Sequence, residues 1–291
     1  MRSLGAALAW VLTTVLLAVA VPAVWVQQHL IDRGGYAALS RSAATAPELQ
    51  AAAAGELAVQ AGRLGYTADP ALVAGVAAAY TASPSFPGQF AAANALAHRW
   101  LFDGVPATES AGGPAIDFAP LMSDPAFAQT LRGLGGAEVS LPETLPVPIA
   151  PDTWVRPGAL RQFAVWSPIS VALVALTAAS ALLTLRLASS RGKAIAALGV
   201  SALLVGAAGL LTLAWAADRL VGVLGGPPGD MGRIVDVMAA TATDSAHRWL
   251  IVTVIAGGGL VLVGVVVALL TSLASAGVKA SGAGTSSSAR L

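Results

Sequence analysis

Cysteine is missing from this 291-residue chain, and charge is scarce: Asp, Glu, Lys and Arg make up 11% of it. Without a thiol there is no disulfide, no thiolate metal site and no cysteine nucleophile. Soluble domains are about one quarter charged. A chain that is 56% apolar and this poor in charge therefore reads as a membrane protein. Tyrosine is also rare, with three residues, while Ala, Gly and Val are abundant.

The most telling absence is positional. Four windows hold no Asp, Glu, Lys or Arg: Ser3–Ile31, Gln162–Leu185, Ala194–Ala217 and Trp249–Val278. A helix needs roughly 20 residues, at about 1.5 Å each, to cross about 30 Å of hydrocarbon. Spans are thus expected over 4–26, 163–185, 194–217 and 249–273. Threading these back and forth puts the N-terminus, the 186–193 loop and the 274–291 tail on one face. That face carries Arg2, Arg186, Arg191, Lys193, Lys279 and Arg290 and no acid, while all 15 acids and the other 10 Arg fall opposite. Excess Lys and Arg in short loops marks the cytoplasmic side. The expectation is a multi-pass cell-membrane protein with N and C termini in the cytoplasm. No basic patch gathers on the outer segments, so no nucleic-acid partner is expected.

Met1–Ala20 has the outline of a secretory signal, with Arg2 before an apolar run and Ala18-Val19-Ala20 as a cleavage-like site. The apolar run nevertheless continues through Val26, and Pro22 follows directly on that site. An uncleaved anchor with Trp25 at its outer interface is the expectation.

Residues 27–161 then form one extracytoplasmic domain, long enough for a modest core without staples. The first helix is expected to continue through His29 and stop near Gly34-Gly35. Pro47 opens a helix to Arg63, and Asp69-Pro70 caps one to about Tyr80. Ser83–Gly88 reads as a loop, followed by a helix from Gln89 to about Phe102. Asp124-Pro125 starts another, to Leu134. Ala115–Phe118, Ala137–Leu141 and Pro146–Ile149 look extended. A second outer segment, 218–248, is broken at Gly225–Gly229 before Asp230 caps a helix into the last span, and the tail reads as disordered. The fold class is an α-helical membrane protein: four transmembrane helices plus a mostly α extracytoplasmic domain with minor β.

Motifs for chemistry are sparse. There is no G-x-S-x-G elbow, H-E-x-x-H pair, acidic metal cluster or nucleotide-binding loop. His29, His98 and His247 are isolated in sequence, with Asp32, Asp103 and Ser245 near one each. They read as structural or solvated, and no catalytic residue, cofactor or metal is expected. His98, and Asp117 between Ile116 and Phe118, stand as candidate binding residues. Within the spans, Ser and Thr are the polar residues, whereas transport pathways usually hold ionisable groups. Ala202/Gly206, Ala175/Ala179 and Gly257-Gly258-Gly259 suit close helix contact. Ala97–Leu101 and Ala246–Leu250 share the string Ala-His-Arg-Trp-Leu, the second read as an interfacial girdle.

Several of these residues together carry a resemblance. Leu30-Ile31-Asp32 with Tyr36, Ala43–Gln50 and the helix to Arg63, Asn94 with His98, Ile116-Asp117 and Leu145-Pro146 follow one another as in uncharacterised four-span membrane proteins of actinobacteria, which the chain resembles over most of Met1–Ser272. The resemblance implies a cell-envelope protein and no assigned activity, so no catalytic residue is carried over. The chain departs in having three basic residues in its 186–193 loop, where a denser cluster is usual, which argues against a grip on anionic lipid there. The expected function is non-enzymatic: an extracytoplasmic domain that binds a partner protein or membrane lipid. Alternatives are an accessory subunit of a transporter or envelope-lipid export complex, and an extracytoplasmic hydrolase.

Overall fold

Helix starts fall where the sequence supplies a cap or a proline. The computed structural model describes residues 2–66, 68–104, 114–133, 142–149, 158, 160–161, 166–223 and 229–284. Helix α1 (Arg2–Val26) passes into a single π-helical turn, Gln27–Ile31, closed by the bond from Asp32 N–H to the Gln27 carbonyl at 2.9 Å. The helix was expected to run on to Gly34-Gly35; it ends at Asp32 instead, whose carboxylate accepts the Gly35 N–H at 2.8 Å and starts a new helix, α2 (Arg33–Ala43). The glycine pair is no stop signal here. A Cβ at Gly35 would collide with the Gln28 carbonyl, so glycine lets α2 fold back onto the π turn.

Helix α3 (Pro47–Arg63) has proline in its first turn, Glu48 at its N-terminus and Arg63 in its last turn, as the helix dipole favours. Helix α4 (Pro70–Thr81) is capped by Asp69, which accepts the Ala71 N–H at 2.8 Å. Helix α5 (Phe86–Asp103) starts three residues before Gln89. Pro87 sits in its first turn, where a missing N–H costs nothing, and Gly104 at φ 72° closes its end. A short ribbon pairs β1 (Ala115–Asp117) with β2 (Pro146–Pro148), antiparallel, Ile116 opposite Val147. Between the strands lie α6 (Ala119–Met122) and α7 (Pro125–Gly133). The expected extended stretch Ala137–Leu141 lies outside the described residues. Three long helices follow: α8 (Trp166–Leu187), α9 (Arg191–Val223) and α10 (Asp230–Gly284). Helix α10 continues through 274–284, a stretch expected from sequence to be a disordered tail; its four Ala residues favour helix although three Gly do not.

The chain divides into two units. The domain unit combines Trp25–Ser167 with Trp215–Ser245. Leu49, Leu57, Phe86, Phe90, Phe118 and Phe127 are fully buried in its core, with Met231 and Ile234 from the start of α10. Segments read apart in sequence thus share one core.

The span unit combines Met1–Val24, Pro168–Ala214 and Ala246–Leu291, and none of the 15 acids lies in it. Among the described residues, four helices are long and apolar enough to cross a membrane: Leu4–Ile31, Pro168–Leu187, Arg191–Ala216 and Asp230–Leu273. Large apolar side chains point outward from the unit, among them Leu211, Leu262 and Leu273. Inside, α1 is tied to its neighbours by hydroxyls. Thr13 Oγ1 lies 2.8 Å from Ser180 Oγ on α8, and Thr14 Oγ1 lies 2.7 Å from Ser201 Oγ on α9. The Trp10 indole donates to the Ala197 carbonyl at 2.9 Å, and Trp249 on α10 donates to the Val21 carbonyl at 3.2 Å.

Helices α9 and α10 meet along glycine. A Cβ on Gly192 or Gly264 would collide with the facing backbone, and one on Gly199 would stand 2.6 Å from the Val261 nitrogen. Gly192, Gly199 and Gly206 on one helix, and Gly257 and Gly264 on the other, repeat every seven residues, the period that keeps one seam facing a partner helix. Of the triplet at 257–259, Gly257 makes the contact; Gly258 and Gly259 meet nothing within 4 Å.

Candidate functional site

His98 projects from α5 into a buried nest made by the π turn, α2 and the end of its own helix. Its Nε2 lies 3.1 Å from the Ile31 carbonyl, to which it donates, so the ring carries its proton on that nitrogen. Phe102 stacks on it at 4.6 Å between centroids, and Tyr36 leans against it at 5.0 Å. Burial lowers the imidazole pKa; the Ile31 and Leu30 carbonyls and Asp103 oppose this, and Arg33 adds to it. The balance favours the neutral ring. Burial likewise pushes the Tyr36 phenol up to about 12, although the Ser40 hydroxyl beside it pulls the other way. At the rim, Arg33 pairs with Asp103 at 2.7 Å, linking α2 to α5. That pair is exposed enough to contribute little. Chemically the nest is a latch: an imidazole N–H holds the carbonyl of a π turn, whose widened helix leaves its last carbonyls without helical donors.

Asp117 serves a different place. Its Oδ1 accepts the Ala119 N–H at 3.0 Å and the Leu145 N–H at 2.8 Å, joining the turn after β1 to the approach to β2. The carboxylate is half-buried and committed to backbone. None of its partners is shared with His98.

The other histidines are not drawn into either place. His29 stacks on Trp25 at 5.4 Å and bonds the Trp25 carbonyl at 3.1 Å, and His247 is exposed. Of the residues near them in sequence, Asp32 caps α2, Asp103 pairs with Arg33, and Ser245 receives the Trp25 indole at 3.3 Å. The repeated Ala-His-Arg-Trp-Leu string is helical both times but buried differently. His98 and Trp100 are inside; His247 is exposed and Trp249 half-buried. Among the described residues no group of three His, Asp or Glu side chains is placed to hold a metal.

A further feature, outside the residues that motifs indicate, lies on α4. Between Asp69 and Arg99 the chain has no Asp, Glu, Lys or Arg. Helix α4 therefore exposes Ala71, Leu72, Ala74, Gly75, Ala78 and Ala79 with no charged residue among them. At 12 residues it is too short to span a bilayer. Beside it a groove of about 490 Å³ runs to Ala126, Phe127 and Thr130 of α7. Tyr80 lines that groove; its ring is buried between Phe86 and Phe127, and its hydroxyl has no hydrogen-bond partner among the described residues. Burial, then the Asp124 carboxylate, raise the phenol pKa, so the hydroxyl remains a neutral donor. The long charge-free stretch was the available sequence signal. In sequence α4 reads as an ordinary Ala-rich helix, which masks that signal. No known protein family matches the chain, and no curated protein or solved structure is significantly similar to it.

Proposed function

We propose that this chain is a non-enzymatic integral membrane protein of the cell envelope, whose domain unit is extracytoplasmic and binds a partner protein. The exposed, uncharged face of α4 carries this reading. An apolar helix face exposed on a domain whose Asp32, Glu48, Asp69 and Asp103 are also exposed marks an interaction surface. Its small residues, Ala71, Ala74, Gly75, Ala78 and Ala79, suit the close approach of a second helix. The groove beside it, lined by Val76, Tyr80 and Phe127, offers room for larger side chains of that helix. Both site candidates, His98 and Asp117, hold backbone in place; in this reading they are supports of the domain.

Native mass spectrometry of the full chain, gently extracted from its own membrane, tests this. The expected result is a second protein at fixed ratio, lost on Leu72→Glu and retained on Arg63→Gln. A transporter or export machine as that protein makes the chain its accessory subunit. Retained lipid with no protein moves the reading to lipid binding. A bare chain, or a complex indifferent to Leu72→Glu, overturns it.

A further inference from the structure

One cavity lies wholly within the span unit, with a volume of about 580 Å³, inside the range of roughly 300–1,000 Å³ typical of ligand sites. The start of α1 supplies Ala7 and Trp10, the turn into α9 supplies Ser189 and Ser190, and the first turn of α9 supplies Lys193. The Trp10 indole N–H is already bound to the Ala197 carbonyl, so its ring is a fixed wall. No Asp or Glu of the span unit competes for Lys193, because the unit contains none. The first turn of the 33-residue α9 lines the same space, and backbone N–H groups at such a helix start favour an anion. Cation, hydroxyls and an apolar wall therefore meet in one recess at the end of an otherwise apolar bundle.

We propose that this recess binds the phosphate of an anionic membrane phospholipid, with Lys193 as counter-ion and Ser189 and Ser190 as hydroxyl donors. The ligand chemistry is a phosphate ester next to hydrocarbon. The apolar wall of Ala7 and Trp10, continuous with helices whose large side chains face outward, selects the lipid over a free phosphate. The sparse charge of the 186–193 loop argued against such a grip in sequence. The cavity answers by setting one lysine among hydroxyls, where a charge-assisted hydrogen bond is stronger than diffuse attraction to a surface.

The test exchanges the purified full chain into mixed micelles of phosphatidylglycerol and phosphatidylcholine with identical acyl chains, and counts retained lipid by native mass spectrometry. One phosphatidylglycerol per chain is expected, in preference to phosphatidylcholine. Lys193→Gln should cut its retention about tenfold, as loss of a hydrogen bond to a charged group implies. Arg186→Gln removes the same charge from the same loop without touching the cavity and should cost less than about fivefold. Ala7→Leu fills the cavity at constant charge and should also expel the lipid, with circular dichroism and melting checked for every variant. Equal retention of the two lipids, or full retention by folded Lys193→Gln or Ala7→Leu, overturns the proposal. So does displacement by excess glycerol 3-phosphate, which would assign the site to a free anion.

Discussion

His98 is held neutral in a nest that closes only when α2 folds back onto the π turn, and this couples its protonation to folding. Its native pKa lies below the ordinary imidazole value, so the unfolded chain takes up the proton first as pH falls. Stability is therefore full above about pH 6.5, the unfolded value, and declines below it toward the lower native pKa. The thermal midpoint of the full chain in detergent should fall from pH 7.5 to pH 5.5. His98→Gln should be less stable by about 1–3 kcal/mol at pH 7.5, the cost of leaving a buried polar group unsatisfied, yet show a flatter pH profile. His247→Gln, at an exposed position, should keep the wild-type slope; a slope that followed His247 instead would refute the latch. The sequence singled out His98 and Asp117, and both are hydrogen-bonded inside the fold. Their commitment to backbone was not legible, because for His98 it depends on α2, hidden by a Gly-Gly pair that looks like a terminator.

Helices whose ends are written in local chemistry were readable. Pro47 to Arg63 and Asp69-Pro70 onward match the observed α3 and α4 because a cap, a first-turn proline and a dipole-complementing charge act within a few residues. The closest helix contact was harder to see. Small-residue spacing is common in a chain with 31 glycines, and Ala202, Gly206 and the 257–259 triplet were noticed without the seven-residue register that joins Gly192, Gly199 and Gly206 to Gly257 and Gly264. Register separates glycines that look identical in sequence. Gly264→Ala pushes a methyl against the Ala196 backbone and should cost about 1–3 kcal/mol, as overpacking does. Gly258→Ala meets open space and should be neutral or stabilising by up to about 1 kcal/mol. Resistance of each variant to denaturation by sodium dodecyl sulfate measures the difference. Equal behaviour of the two would mean that α9 and α10 do not pack along this seam.

At the scale of the whole molecule, charge and structure divide the chain along the same line. Every acid belongs to the domain unit, and the span unit holds bases alone: Arg2, Arg186, Arg191, Lys193, Arg248, Lys279 and Arg290. The threading inferred from sequence requires the start of α1, the α8–α9 turn and the far part of α10 to share one end of the bundle. Within the span unit they do: Ala7 and Lys193 line one cavity, and Gly192 packs against Ala268. Trp249 and Val21 meet elsewhere along α1, nearer its other end. Which side of the membrane each end faces is an expectation that rests on charge. Inserting Lys and Arg against the potential is resisted while acids matter little, so the Arg186–Lys193 end should stay in the cytoplasm. A chain with no native cysteine makes the test clean. In intact cells an impermeant maleimide should label Ala82→Cys, at an exposed position on the domain unit, and should reach Ser189→Cys, also exposed, only after permeabilisation. The reverse pattern would put the domain unit in the cytoplasm, where the apolar face of α4 would have to find a soluble partner. Labelling of both from outside would break the alternation of spans itself, since Ser189 and the domain unit would then share a side despite the helix α8 between them.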